Sequence, residues 1–239
     1  MAHCAAMTAP TLVLLPGMAC DETLWRHQLG ALAHDGPVVV ADVHQRADSL
    51  PEMAALLLAE QPGPLLLAGA SLGGMLALHA WHQAPQRVQG LAILGSTARP
   101  DTPDLVTLRT QACAMFAQGR MEELLRVNAM FAFDPAHGPR LLADYLAMVM
   151  RGGAQALIRQ NQAVMVRPDL RPLLAGVACP TLVVGGETDQ LTPPECSREI
   201  AQAIAGAQLV LLPQCGHMLT WEQPQAVNAL LADWLRRCG

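Results

Sequence analysis

A serine flanked by glycines lies between an apolar run and a helix-like segment, a position typical of a catalytic nucleophile. Ser71 lies between Gly69 and Gly73; residues 65–68 before it are apolar, and residues 72–83 after it have helical character. Strand, sharp turn and helix, in that order, are the context in which Gly-x-Ser-x-Gly presents a nucleophile. The turn strains the serine backbone, and the following helix directs its free N–H groups toward a nearby oxyanion. The sequence predicts that Ser71 is a nucleophile.

Two partners for this serine follow later strand-like segments. Asp189 comes shortly after the apolar run 181–184, and His217 comes shortly after the run 209–212. A serine hydroxyl is a weak nucleophile until an imidazole takes its proton, and the imidazole needs a carboxylate to fix its tautomer. Asp189 is the preferred acid, and Glu187, two residues before it, stays open as the alternative. The chain order Ser71, Asp189, His217 is the order expected of the α/β-hydrolase fold.

Several further segments strengthen a family resemblance that spans nearly the whole chain. They are the segment Leu14–Met18, the residues Thr192–Pro194 after Asp189, and the segment Glu222–Pro224 after His217. The chain resembles the α/β-hydrolase superfamily, in particular its compact, cofactor-free esterases and lactonases of the 3-oxoadipate enol-lactonase kind. The resemblance implies an oxyanion hole formed by the backbone N–H groups of Leu72 and Met18.

The chain departs from the usual pattern of that family in two places. Pro16 precedes Gly17, where relatives usually carry histidine, so this segment could alternatively be an ordinary turn. Only ten residues precede Thr11, which is too few for the antiparallel hairpin with which relatives begin. We therefore expect that hairpin to be reduced or missing and the rest of the sheet to be retained.

Composition restricts the possible class of protein. The 239 residues are 52% hydrophobic and 15% charged, with a formal net charge of −5, as suits one domain built on a buried sheet. No basic cluster indicates a nucleic-acid partner, and no apolar stretch reaches the roughly 18 residues of a membrane span. The N-terminal residues make a poor signal peptide, and seven scattered cysteines favour free thiols. These features predict a cytoplasmic protein.

The order of elements predicts an α/β fold with a mostly parallel central sheet of about six strands, helices on both faces and a helical cap insertion. Residues 1–96 and 179–239 are assigned to the core, and residues 97–178, which have helical periodicity and no convincing strand, to the cap above Ser71. Strands are expected at 11–15, 38–41, 65–68, 91–94, 181–184 and 209–212, and core helices near 22–33, 51–60, 72–83, 194–205 and 225–237.

Candidates for substrate contacts are weaker. Phe131 in the cap, together with Trp25 and Met218, could form the wall of a pocket. Three arginines near the end of the insertion, Arg159, Arg167 and Arg171, could bind a substrate carboxylate, or could instead form a surface or hinge ion pair with Asp169.

A histidine pair on the helix after Ser71 has a simpler interpretation. His79 and His82 lie one turn apart, as metal ligands can, but no neighbouring carboxylate or cysteine completes a ligand set. We expect both to lie on the helix surface.

Together these observations predict a serine hydrolase that cleaves a small carboxylic ester or lactone through a Ser71 acyl-enzyme. No cofactor or metal is expected, and the protein is expected to be a monomer or homodimer whose partner is its small-molecule substrate. Two alternatives stay open: a lyase or C–C bond hydrolase that uses the same three residues, and a non-catalytic binding protein on this fold.

Overall fold

A six-stranded sheet forms the centre of the protein, in the order β2-β1-β3-β4-β5-β6 with every neighbouring pair parallel. The computed structural model describes residues 9–239. The strands are β1 (Thr11–Leu15), β2 (Val38–Val40), β3 (Leu65–Ala70), β4 (Val88–Leu94), β5 (Thr181–Gly186) and β6 (Gln208–Leu212). The predicted parallel α/β sheet is thereby confirmed. The expected loss of an N-terminal hairpin concerns residues 1–8, which lie outside the described residues.

Alternating strand residues point to opposite faces of the sheet and create two separate cores. On one face, Leu12 and Leu14 of β1 pack with side chains such as Trp25 and Trp234. On the other face, Val13 of β1 packs with the helices beneath it. Because successive side chains in a strand alternate between faces, a nearly continuous apolar run is what a sheet covered on both sides requires.

Helices cover both faces. They are α1 (Leu50–Glu60), α2 (Leu72–Gln83), α3 (Pro103–Ala117), α4 (Met121–Ala132), α5 (Gly138–Arg151), α6 (Gly153–Met165), α7 (Pro194–Ala203), α8 (Leu219–Glu222) and α9 (Pro224–Cys238). Helices α3–α6 all lie between β4 and β5 in chain order, within the segment that lacks strand periodicity. Within residues 9–239, no helix has both the length and the apolar composition needed to cross a bilayer.

The predicted helix over residues 22–33 is largely wrong. Only Glu22–Trp25 form a short 3-10 helix, and irregular turns follow. The indole N–H of Trp221 donates to the carbonyl oxygens of Thr23 and Leu24, at 3.1 Å each. Those carbonyls would accept the N–H groups of residues 27 and 28 in a continuous α-helix. A tertiary contact therefore takes the place of the helical hydrogen bonds.

The prediction that His79 lies on the helix surface is also wrong. His79 is 3% exposed, on a helix whose residues 72–81 are all buried. Its Nε2 has no hydrogen-bond partner within residues 9–239, and burial lowers the pKa of the imidazole to about 4. His82, one turn later, is exposed as expected. A buried imidazole of this kind is kept neutral at physiological pH.

Candidate active site

Ser71 occupies a strained turn between β3 and α2. Its backbone angles are φ 54° and ψ −117°, a conformation that non-glycine residues rarely adopt. A β-carbon on Gly69 would lie 2.2 Å from the Gly73 carbonyl oxygen, so this glycine is required for the close approach of the two segments. The Ser71 N–H donates to the Leu94 carbonyl at 2.9 Å, which fixes the turn against the end of β4. The local sequence thus folds as the predicted elbow.

The N-terminus of α2 begins directly after Ser71. The Ser71 carbonyl accepts the Gly74 N–H at 2.9 Å and the Ser96 hydroxyl at 2.6 Å. The Leu72 N–H, at the first position of the helix, has no hydrogen-bond acceptor within residues 9–239. An unpaired N–H at the positive end of a helix is available to an anionic oxygen.

Asp189 is held by four hydrogen bonds in the loop after β5. Its Oδ1 accepts the N–H groups of Leu191 and Thr192 at 2.8 and 2.9 Å, and its Oδ2 accepts the Thr192 hydroxyl at 2.7 Å. Oδ2 also lies 2.8 Å from Nδ1 of His217. Burial favours the protonated carboxyl, but His217 and these donors outweigh it and hold the pKa of Asp189 below its usual value. Asp189 is therefore a carboxylate at neutral pH.

His217 faces that carboxylate through Nδ1, which leaves Nε2 as its other titrating nitrogen. Burial disfavours the imidazolium, but the Asp189 charge and hydrogen bond stabilise it more, so the pKa of His217 is raised above its ordinary value of 6.5. A β-carbon built on Gly95 would lie 3.5 Å from both Asp189 Oδ2 and His217 Nδ1. Gly95 follows Leu94, the acceptor of the Ser71 N–H. The end of β4 and the residue after it therefore border both the Ser71 turn and the Asp189–His217 pair.

Glu222 joins this site, and sequence reasoning assigned it no role of its own. Its buried carboxylate accepts the N–H of Gly216 at 3.0 Å and the N–H of Met218 at 3.1 Å, on either side of His217. It also accepts the Asp134 N–H, which follows α4, at 2.9 Å. The spacing of Glu222 five residues after His217 was the available signal. Its hydrogen bonds to the backbone on both sides of His217 are formed only in the tertiary structure.

Met18 lies in a four-residue turn directly after β1. The Cys20 N–H donates to the Gly17 carbonyl at 3.1 Å, and Ala19 has a positive φ of 61°. A β-carbon on Gly17 would lie 3.3 Å from Cβ of Ser71, so the turn passes directly beside the serine. The Met18 N–H has no hydrogen-bond acceptor within residues 9–239. The segment after Pro16 is thus a turn that also borders the site.

The three apolar residues predicted to form a pocket wall lie in different environments. Trp25 is fully buried in the core, and Met218 is 5% exposed, directly after His217. Phe131 lies on α4 with 43% of its surface exposed, next to Met130 with 74%. Of the three, only Met218 is adjacent in the chain to a predicted site residue, His217.

Two of the three predicted arginines are held by other parts of the protein. Arg167 is buried, and its Nη1 lies 2.7 Å from the Asp101 carboxylate, while its Nε donates to the Arg99 carbonyl at 2.8 Å. Arg159 donates to the Gln45 carbonyl, and its Nε lies 3.7 Å from Asp48. The alternative expectation, an ion pair with Asp169, is confirmed for Arg171, at 2.6 Å.

Comparison with known proteins bears on this geometry. The sequence profile of the Alpha/beta hydrolase family matches residues 12–230. The chain belongs to this family. It is 30% identical over 226 residues to the pimeloyl-[acyl-carrier protein] methyl ester esterase of Nitrosomonas europaea, covering 87% of this chain and 88% of that protein. It is 27% identical over 245 residues to a Serratia proteamaculans protein provisionally named carbamate hydrolase RutD, covering 95% and 91% of the two chains.

The fold of this hydrolase is also found among solved structures. The enol-lactonase from Burkholderia xenovorans superposes with a TM-score of 0.86 at 24% identity, over 96% of this chain and 92% of that one. At this identity the likeness establishes the fold. The family and the fold together identify the chain as an α/β-hydrolase enzyme.

Proposed function

We propose that this hydrolase cleaves a small carboxylic ester or lactone through an acyl-enzyme on Ser71. The observation that carries the proposal is the 2.8 Å contact between Asp189 Oδ2 and His217 Nδ1. This contact lies at the end of β4, which also receives the Ser71 N–H. A carboxylate on Nδ1 leaves Nε2 to accept a proton from the nucleophile.

The first half of the reaction transfers the acyl group to the enzyme. Ser71 Oγ attacks the carbonyl carbon while its proton passes to His217 Nε2, and the carbonyl π electrons move onto oxygen. The N–H groups of Met18 and Leu72 stabilise that oxyanion. Collapse of the tetrahedral intermediate breaks the bond to the alkoxy oxygen, which takes the proton from His217 and departs as the alcohol; in a lactone it stays attached to the acyl chain.

The second half regenerates the enzyme with water. Water attacks the acyl carbon and gives a proton to His217, a second oxyanion forms in the same place, and Ser71 Oγ leaves as it recovers its proton. The products are a carboxylic acid and an alcohol. Two similar proteins, a methyl ester esterase and an enol-lactonase, support an ester or lactone as the substrate class.

We further propose that residues 97–178 form a cap over the site and select the substrate. Two contacts support this. The Ala132 carbonyl, at the end of α4, accepts the His217 N–H at 3.0 Å. Gln160 of α6 accepts the Ala19 N–H at 2.9 Å, beside Met18. The inserted segment thus contacts both loops that border Ser71, and the substrate would enter between it and the sheet.

Labelling with a fluorophosphonate tests the proposal. The sequence contains four serines, so intact mass can assign the modified position by variants. We expect one adduct on the parent protein and none on Ser71→Ala. Ser49→Ala, which removes the serine that caps the N-terminus of α1, is the control and should also carry one adduct. Unchanged labelling of Ser71→Ala would refute the nucleophile.

Trapping of the intermediate separates ester hydrolysis from the alternatives. Rapid acid quench with a p-nitrophenyl ester should show the mass of the acyl group on Ser71. If a substrate is turned over without a covalent acyl-enzyme, the protein is better explained as a lyase or C–C bond hydrolase. If neither turnover nor labelling occurs, it is better explained as a binding protein.

A further inference from the structure

Hydrogen bonds to four successive peptide groups, from Gly17–Met18 to Cys20–Asp21, hold the turn that carries Met18 in place. The Gly17 carbonyl accepts the Cys20 N–H at 3.1 Å. A peptide group is planar and trans, so the Gly17 carbonyl and the Met18 N–H point in opposite directions. Fixing the carbonyl toward Cys20 therefore fixes the direction of the Met18 N–H as well.

The next peptide group is fixed from outside the turn. Gln160 Oε1 accepts the Ala19 N–H at 2.9 Å, although these residues are 141 positions apart. Ala19 has a positive φ of 61°, a conformation that is unfavourable for alanine and persists only where the surroundings enforce it. The hydrogen bond from Ala19 to Gln160 supplies such enforcement.

The last peptide group of the turn, between Cys20 and Asp21, is held by His44. His44 Nε2 donates to the Cys20 carbonyl at 2.9 Å, and the His44 carbonyl accepts Gln160 Nε2 at 3.2 Å. Both side chains are 1% exposed. The four residues Ala19, Cys20, His44 and Gln160 therefore form a closed and buried set of hydrogen bonds behind the oxyanion turn. We call this set the turn clamp.

Packing and the turn clamp both hold the turn, since Met18, Ala19 and Cys20 contact the apolar core. A pocket of about 90 Å³, lined by Ala19, Cys20 and Gln160 among others, borders the turn on the side of Gln160. Such a space exceeds that of one water molecule, so packing on that side of the turn is incomplete. Packing there does not by itself fix the direction of the peptide groups, which the hydrogen bonds of the turn clamp set.

We infer that Gln160 and His44 are positioning residues for the oxyanion hole, acting through the turn that presents the Met18 N–H. The inference rests on the proposed function. Gln160 belongs to α6, so the inserted helices would contribute to transition-state stabilisation without touching the substrate. Glutamine suits this position because one side chain supplies both the acceptor for Ala19 and the donor for His44.

The test compares Gln160→Met with Gln162→Met. Methionine keeps the length of glutamine and removes both polar atoms. Gln162 lies on the same helix and is exposed, which makes it a matched control. We expect kcat for an ester to fall roughly 10- to 100-fold in Gln160→Met with KM nearly unchanged, because the oxyanion forms only in the transition state. Gln162→Met should stay within about 2-fold of the parent protein.

A trifluoromethyl ketone provides a readout that a merely structural role would not affect. Ser71 Oγ adds to its carbonyl carbon, the proton passes to His217, and the ketone oxygen becomes an oxyanion at the Met18 N–H. Across the parent, Gln160→Met and Gln160→Glu, inhibitor affinity should fall by the same factor as kcat/KM. The acid limb of the pH profile should keep its midpoint, because His217 is untouched.

A second variant, Gln160→Glu, keeps the test valid if Gln160→Met does not fold. It retains an acceptor for Ala19 but loses the donor to His44, so its activity should lie between those of the parent and Gln160→Met. Parent-like kcat and ketone affinity in both variants would overturn the inference, as would a change confined to KM. If Ser71→Ala stays active, the proposed function has failed instead.

Discussion

The Ala132 carbonyl, the last of α4, accepts the backbone N–H of His217 at 3.0 Å. It also accepts the N–H of Met218 at 3.2 Å, so the inserted helices hold the loop that carries the proposed general base. The Glu222 carboxylate binds the same loop, accepting the N–H groups of Gly216 and Met218. The position of His217 thus depends on a helix that is about 85 residues away in sequence and on a buried charge.

Glu222→Gln should impair both stability and catalysis. The amide keeps the shape of the carboxylate but turns an NH₂ group toward backbone donors, so one N–H loses its acceptor. We expect the free energy of unfolding to fall by about 2–4 kcal/mol and kcat to fall roughly 10-fold. Urea unfolding and steady-state kinetics measure the two effects. Glu195→Gln, on the exposed start of α7, is the control and should change neither.

Asp189→Asn should lower kcat by roughly three to four orders of magnitude. Asparagine facing His217 favours the imidazole tautomer that has no lone pair on Nε2, as described for serine proteases. Glu187, two residues earlier and exposed, gives a matched control, and Glu187→Gln should retain nearly full activity. An inactive Glu187→Gln beside an active Asp189→Asn would assign the acid to Glu187.

The rate of ester cleavage should rise with pH as His217 loses its proton. Only the neutral imidazole can accept the Ser71 proton, and Asp189 raises the pKa of His217 above 6.5. The acid limb of kcat/KM should therefore have its midpoint above 6.5 in the parent protein. Rates over pH 5 to 9 in a constant-ionic-strength buffer give this value. A midpoint well below 6.5 would contradict the described pairing.

Acid should destabilise the protein through His79. Its pKa is lowered to about 4 in the folded protein, from 6.5 when unfolded. Between pH 4 and pH 6.5 the imidazole is protonated in the unfolded chain but neutral in the folded protein. The contribution of His79 to the free energy of unfolding is therefore fully present above pH 6.5 and is lost as the pH falls toward 4. We expect His79→Gln to reduce the loss of unfolding free energy between pH 7 and pH 5 by roughly 1–2 kcal/mol. His82→Gln, at an exposed position, should leave the loss unchanged.

Arg167→Met should behave as the loss of a structural ion pair. Asp101, with a side chain only 1% exposed, would keep Arg109 at 2.7 Å but lose Arg167. We expect a loss of about 3 kcal/mol in unfolding free energy, and equal changes in KM for acidic and neutral esters of the same size. Arg171→Met, which removes a more exposed pair with Asp169, should cost under about 1 kcal/mol. A rise in KM for the acidic ester alone would make Arg167 a substrate ligand.

Local patterns in the sequence were enough to predict the sheet and the place of the site. Apolar runs of strand length specify β1 and β3–β6, because a strand buried on both faces must be apolar throughout. The glycines around Ser71 predict the elbow, since the chain there allows no β-carbon. Asp189 and His217 followed from their places after strands, because parallel strands end at one edge.

Long-range contacts decided the rest. Helical periodicity predicted a helix over residues 22–33, but Trp221 takes the carbonyls that such a helix needs. The same is true of His79, which is buried instead of lying on the helix surface, and of Arg167, whose partner is Asp101 and not the nearby Asp169. Short-range patterns determined which elements form and where reactive residues emerge. Which hydrogen bonds hold them depends on partners far apart in sequence, which only the packed chain brings together.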